Sequence, residues 1–250
     1  MTDALFRDDA YLRECSAHVT AVLPDGGIVL DRTVFYPLGG GQAGDSGTLQ
    51  LADGHTLTVA DTRKGKDADG RATADIVHLP APGQEALLAA LAPGQAVTAC
   101  IDWERRHRLM RLHTTTHLLC HLVPQLVNGC SITDSGARLD FAMTDPLDKE
   151  QLTAGIAALV AAAHPVTVAS ITDAELDANP ALVKSMSVQP PRGSGHVRTI
   201  RIGGDAGVPL VDLQPCGGTH VANTREIGAV LVTKIEKKSA TTRRVVLAFA

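Results

Sequence analysis

Aromatic side chains are scarce in this chain: Phe, Trp and Tyr make up 3% of its 250 residues, with a single Trp. A core must therefore be assembled from Ala, Val, Leu and Ile. Base stacking on an aromatic platform is not the expected mode of any nucleic-acid contact. A surplus of basic charge is lacking too, with 23 Lys and Arg against 27 Asp and Glu, a net −4. That excludes wholesale coating of nucleic acid and leaves room only for a local basic face. No apolar run approaches membrane-span length, and no basic-then-apolar signal opens the chain. The five cysteines, Cys15, Cys100, Cys120, Cys130 and Cys216, are odd in number and irregularly spaced, which is not a disulfide framework. A cytoplasmic chain with reduced thiols and no membrane partner is the expectation. No internal repeat and no low-complexity tract is present. No Gly-Lys-Ser/Thr follows the glycine run at 39–41, so a phosphate-binding loop is excluded and no nucleotide cofactor is expected.

What is present divides the chain in two. Residues 1–101 read as β. Runs at 17–23 and 28–32 flank Pro24-Asp25-Gly26-Gly27, and runs at 48–51 and 55–60 flank Ala52-Asp53-Gly54. Further short runs lie at 76–79 and 96–101, with a short helix at 85–91 and a solvated charged loop at 63–71. Short strands punctuated by Gly, Pro and Asp predict a small β-barrel or sandwich. Residues 102–250 alternate. Asp102 can cap a helix over 102–123, with Pro124 just past its end. Helices are expected at 149–163 and 173–179, and strands at 166–171, 197–202, 208–213, 229–235 and 245–249. The fold class expected is α+β: an N-terminal barrel domain, 1–101, then a domain over 102–250 with a mostly antiparallel sheet.

Two short motifs carry chemistry. HTTTHLL (113–119) places His113 and His117 four apart on the flank of the 102–123 helix, so both imidazoles reach one point. CGGTH (216–220) places Cys216 and His220 four apart around Gly217 and Gly218, whose backbone can turn tightly. Two imidazoles from one segment, and a thiolate and an imidazole from another, suit a tetrahedral zinc ion. Taken singly, either spacing also fits ordinary core-edge residues. His121 is a competing ligand better placed for surface or outer contacts. Cys120 faces the core, and Cys15, Cys100 and Cys130 have no partner pattern. A closed four-ligand site is more often structural than catalytic, so ligand count alone does not decide function.

HTTTHLL, RLDF (138–141) and CGGTHV (216–221), in this order and preceded by FYPLGGGQAGDSG (35–47), resemble the editing domain of alanyl-tRNA synthetases and their freestanding AlaX-type relatives. The resemblance spans 35 to about 245. Threonyl-tRNA synthetase editing domains share a related His/Cys arrangement, but the glycine-rich motif favours the alanyl branch. With Met1 close before the β module, a freestanding medium-length editor is expected.

The resemblance implies a deacylase that hydrolyses mischarged Ser-tRNA(Ala), with Gly-tRNA(Ala) a further candidate, and spares Ala-tRNA(Ala). It implies one Zn2+ held by His113, His117, Cys216 and His220, and the acceptor end of tRNA(Ala) as partner of a monomeric chain. The zinc is expected to anchor and polarise the ester. Telling serine from alanine calls for a hydrogen-bonding group near the metal. Gln42 and Thr133 are the candidates, with Gly40 and Gly41 offering a close backbone approach to the substrate. RNA contacts are sought among basic clusters: Arg105, Arg106, Arg108 and Arg111; Arg192, Arg198 and Arg201; and Lys234, Lys237, Lys238, Arg243 and Arg244. Arg105, Lys237, Lys238 and Arg243 are the named candidates, and 237–240 is expected to form a turn. The alternative reading is a tRNA-binding module with a purely structural zinc, and a third is a zinc hydrolase of small esters.

Overall fold

Period-two burial runs through the N-terminal strands. Ala17 and Val19, Leu57 and Val59, and Val97, Ala99 and Ile101 point inward while their neighbours meet solvent. A computed structural model describes residues 1–190, 195–204 and 207–250. It separates into two compact units, Met1–Gly39 with Ala43–His107, and Gly40–Gln42 with Arg108–Ala250. Arg192 lies outside the described residues.

The first unit contains β1 (Asp3–Ala4), β2 (Glu14–Val22), β3 (Ile28–Leu30), β4 (Arg32–Thr33), β5 (Gly47–Leu51), β6 (Thr56–Lys66), β7 (Ala72–Pro80), α1 (Glu85–Ala89) and β8 (Ala96–Ile101). Six strands close a barrel in the order β2-β3-β7-β6-β5-β8, every neighbouring pair antiparallel. Its core is aliphatic, with Leu30, Leu49 and Leu57 around Phe35. The charged stretch 63–71, expected as a loop, instead continues β6 and β7 into a hairpin. Asp67 makes this possible by accepting the backbone N–H of Asp69 at 3.0 Å and of Arg71 at 2.9 Å across the turn.

Two buried polar contacts fix this unit. Arg106 is fully buried and donates to Asp45 through Nε at 2.9 and 3.0 Å, to Val34 O at 2.7 Å and to Ala10 O at 3.0 Å. Asp45 also accepts Tyr36 N–H at 2.6 Å. The Asp of the glycine-rich motif is thus an ion-pair partner in the core, and Arg106 has no free donor face for RNA. His78 is buried on β7, with Nδ1–H donating to Ile28 O at 3.0 Å and Nε2 accepting the Thr33 hydroxyl at 2.8 Å. Burial pushes its pKa down to about 4.

The helix α2 (Trp103–Leu122) starts where Asp102 accepts the Arg105 N–H at 3.1 Å, and it ends before Pro124. In the second unit its residues 112–120 are buried without interruption. Leu109, Met110, Leu112, Leu118 and Leu119 have no exposed surface, each worth about 1.5–3 kcal/mol of burial. After it come β9 (Val127–Ile132), β10 (Ala137–Ala142), α3 (Lys149–Ala161), β11 (Val166–Thr172), α4 (Asp173–Ala178), β12 (His196–Gly203), β13 (Leu210–Pro215), β14 (Val230–Ser239) and β15 (Thr242–Phe249). They form an antiparallel four-stranded sheet, β14-β15-β10-β9, and an antiparallel three-stranded sheet, β11-β12-β13. Mixed helix and mostly antiparallel strand is the α+β class expected. The hairpin of β9 and β10 has no counterpart in the sequence reading. Lys237, Lys238 and Ser239, expected in a turn, still belong to β14, and the turn falls at 240–241. The segment Gly40–Gln42 lies along the edge of β9, with Ile132 N–H donating to Gly41 O at 2.8 Å. Among the described residues, no helix is long and apolar enough to cross a membrane.

Candidate metal centre

The buried stretch of α2 carries His113 and His117 on one flank, so neither ring has freedom to swing into solvent. The loop after β13 brings Cys216 and His220 to the same place. The four donor atoms all lie within 4.8 Å of one another. Cys216 Sγ is 3.4 Å from His113 Nε2 and 3.4 Å from His220 Nε2. Metal–nitrogen and metal–sulfur bonds of about 2.0–2.3 Å in a tetrahedron give edges of about 3.3–3.6 Å. The two separations from Cys216 Sγ fall within that range, and one thiolate with three imidazoles is a donor set that suits a tetrahedral ion.

The loop reaches this geometry through Gly218. A Cβ built there would land on the imidazole of His113 and come within 2.9 Å of Gln42 Oε1, whereas one at Gly217 would meet nothing within 4 Å. Arg198 pins the same loop, donating to Cys216 O at 2.6 Å and Gly218 O at 3.1 Å.

Each imidazole is oriented from behind by a different partner. His113 Nδ1 donates to Gln42 Oε1 at 2.7 Å, and Gln42 is itself fixed by Thr219, accepting its N–H at 3.1 Å and donating to its hydroxyl at 2.9 Å. His220 Nδ1 donates to Thr114 Oγ1 at 3.2 Å, whose own proton goes to Met110 O at 2.9 Å. His117 Nδ1 donates to Asp212 Oδ2 at 2.8 Å, and Gln214 Nε2 donates to the same oxygen at 2.8 Å. These bonds engage Nδ1 of each ring and leave Nε2 as the nitrogen available to an ion.

The electrostatics favour a thiolate. Burial works against the charge on Cys216, but the adjacent His113 and His220, with hydrogen bonds from His113 and His117, outweigh it and hold the thiol well below its usual range. Burial and the neighbouring His113 hold His220 well below the usual imidazole range. Burial also disfavours a charged His117, yet the hydrogen bond to Asp212, then the contact with Cys216, raise it to about 9. Asp212 resists its own burial through His117 and Lys184 and falls to about 2.

The remaining sequence candidates are distributed differently. Gln42 is fully buried and stands behind a ligand, with its carbonyl engaged by His113 and Thr219. Gly41 has φ +87° and its backbone runs against Cys130, where a Cβ would come within 3.0 Å of that side chain. Thr133 is exposed at the turn between β9 and β10, bonded to Ser135 Oγ at 3.0 Å and Gly136 O at 3.1 Å. Arg105 donates to Gly44 O at 2.7 Å. Lys237 is exposed, and Lys238 sits 3.3 Å from Asp140. Arg243 is 9% exposed and donates to the carbonyls of Ser239, Thr242 and Thr144, so its guanidinium closes the β14–β15 hairpin instead of facing a partner. His121 is exposed. Burial pushes Cys120 and Cys130 up to about 12.

Comparison with known proteins gives the family. The chain is 32% identical over 254 residues to the alanyl-tRNA editing protein AlaX-M of Methanosarcina acetivorans, covering 98% of this chain and 97% of that one. The AlaX-M of Saccharolobus solfataricus is 30% identical, with 98% of each chain covered. The chain belongs to the AlaX-M family of alanyl-tRNA editing proteins. A family profile described as the threonyl and alanyl tRNA synthetase second additional domain matches residues 197–246, the part that carries Cys216 and His220. Similarity extends to the alanine–tRNA ligase of Pyrobaculum arsenaticum, 32% identical over 94% of this chain and 25% of that one. Family membership and the four-donor cluster together support tRNA editing.

The sequence reading missed the second tier of the centre: Thr114, Asp212, Gln214 and Arg198 as a loop clamp. Thr114 sits inside HTTTH, and a lone acid in the apolar run around Val211-Asp212-Leu213 was the available signal for Asp212.

Proposed function

We propose that this chain deacylates Ser-tRNA(Ala), and with it Gly-tRNA(Ala), sparing Ala-tRNA(Ala), with one zinc held by His113, His117, Cys216 and His220. The observation carrying the reading is the convergence of those four donors within 4.8 Å of one another, in a chain of an editing family. Zinc bound there would supply electrophilic polarisation of the ester carbonyl. The protein's own contribution is to position the acceptor end. Gln42, Thr114 and Asp212 keep the three imidazoles in place, and the uninterrupted burial of 112–120 keeps water off the back of the site.

Discrimination of serine from alanine needs a hydrogen-bond partner for one hydroxyl, because an apolar slot rejects an isostere poorly. Thr133 is the proposed partner, and its replacement by alanine is expected to slow serine removal while Thr133→Ser retains it. Lys237 and Lys238 are proposed to meet the acceptor-stem phosphates, with Arg105 a further contact. The chain would act in the cytoplasm as a monomer and without a nucleotide.

The test is deacylation of Ser-tRNA(Ala) beside Ala-tRNA(Ala) by wild type and His117→Ala. The reading expects rapid loss of serine alone, abolished by the substitution. Release of neither ester by zinc-loaded protein would leave a binding module with a structural ion.

A further inference from the structure

Of the three histidines of the cluster, His117 alone has a carboxylate bonded to its Nδ1 among the described residues. His113 leans on the neutral amide of Gln42 and His220 on the neutral hydroxyl of Thr114. Asp212, behind His117, has a side chain with no exposed surface. A carboxylate buried there without a counter-charge would be costly, and the burden would fall on the group it orients. The counter-charge is Lys184, whose ammonium is ion-paired to Asp212 Oδ1 while Oδ2 accepts His117 Nδ1–H at 2.8 Å.

Lys184 is built into this position from its own backbone. Val127 N–H donates to Lys184 O at 2.8 Å and Met186 N–H donates to Val127 O at 2.9 Å, so the segment is zipped onto the start of β9 on both sides of Ser185. The side chain is 25% exposed, which places the ammonium between solvent and the buried carboxylate. Three donors thus converge on Asp212: an imidazole, an amide from Gln214 and an ammonium.

We infer that Lys184 is a positioning residue for the metal centre: by pairing with Asp212 it holds that carboxylate in the place from which it orients His117 toward the ion. The chain Lys184–Asp212–His117 runs from the surface to a ligand atom and contains, among the described residues, the one outer carboxylate of the cage. Loss of an outer-shell partner of a ligand histidine typically lowers metal affinity about 10- to 100-fold, and Lys184, one bond further out, is expected near the lower figure.

The inference rests on the metal reading above, and the experiment separates the two. Zinc affinity of the full chain is measured by competition with a chromophoric chelator, and the cobalt(II)-loaded protein gives the ligand-field spectrum. Lys184→Met is expected to weaken zinc about tenfold and shift the cobalt bands, with an unchanged circular-dichroism spectrum, and Lys184→Arg to restore both. In an Asp212→Asn background Lys184→Met is expected to cause no further loss, because the lysine acts through that carboxylate. Wild-type affinity and spectrum in Lys184→Met would overturn the inference alone, as would an equal loss with and without Asp212. A wild type that takes up neither zinc nor cobalt would overturn the metal reading and the inference with it.

Discussion

Gln42 Oε1 lies 2.7 Å from Nδ1 of His113, 71 positions later in the chain. The glycine-rich motif and the HTTTH motif, separate in sequence, are joined by one hydrogen bond to an imidazole of the four-donor cluster. The same motif sends Asp45 to Arg106 in the first unit. FYPLGGGQAGDSG thus has two physical jobs, one behind the His113 ring and one against the buried Arg106 guanidinium. Gln42→Ala is expected to lower zinc affinity about 10- to 100-fold while the fold survives, measured by chelator competition. Unchanged affinity would show that His113 is held by packing on α2 alone.

Gly217 and Gly218 look equivalent in the sequence and are not equivalent in space. Gly218→Ala is expected to drive His113 off its position and abolish metal uptake, because its Cβ would overlap that ring. Gly217→Ala is expected to bind metal like wild type, because nothing stands within 4 Å of its Cβ. Metal content after purification in zinc-supplemented medium checks both at once.

Asp45→Ala leaves the Arg106 guanidinium buried and unpaired. A loss of about 3–5 kcal/mol in urea unfolding is expected, since breaking one side of a buried pair strands the other charge. A loss under about 1 kcal/mol, small for such a break, would mean that the carbonyls of Ala10 and Val34 suffice to hold the arginine.

His78 makes barrel stability depend on pH. Its folded pKa of about 4 lies below the 6.5 of an ordinary histidine, so the unfolded chain takes up the proton first. Stability is complete above 6.5, declines as pH falls toward 4, and then levels off, a total of roughly 3 kcal/mol. Urea midpoints at pH 7 and pH 5 for wild type and His78→Gln check it. The variant is expected to lose less between the two, and equal losses would contradict the assignment.

The four donors that converge in the structure were legible because each motif puts two of them four residues apart and the two motifs occur together; singly, either spacing also fits core-edge residues. Strands with β-branched alternation, such as β12, were legible for the same local reason. β9 was not: Asn128, Gly129, Cys130 and Ser131 have little strand preference, and pairing with β10, itself paired to β15, is a tertiary fact. The hairpin over 63–71 is hidden in the sequence because Arg63, Lys64 and Lys66 are exposed and only Thr62 and Gly65 are buried, so the run lacks the apolar alternation that marks a strand. Arg106, Arg198 and Arg243 resemble RNA-facing residues in sequence, yet their donors are used on Asp45 and on backbone carbonyls. Charge counts alone do not tell a clamp from a contact.

The most direct test of the central claim follows one protein sample through metal removal and return. Zinc content and the rate of Ser-tRNA(Ala) deacylation are measured on the purified chain, after exhaustive chelation, and after zinc is restored. The account predicts about one zinc per chain, loss of hydrolysis with the metal, and recovery with its return. Full hydrolysis by protein shown to contain no metal would contradict it.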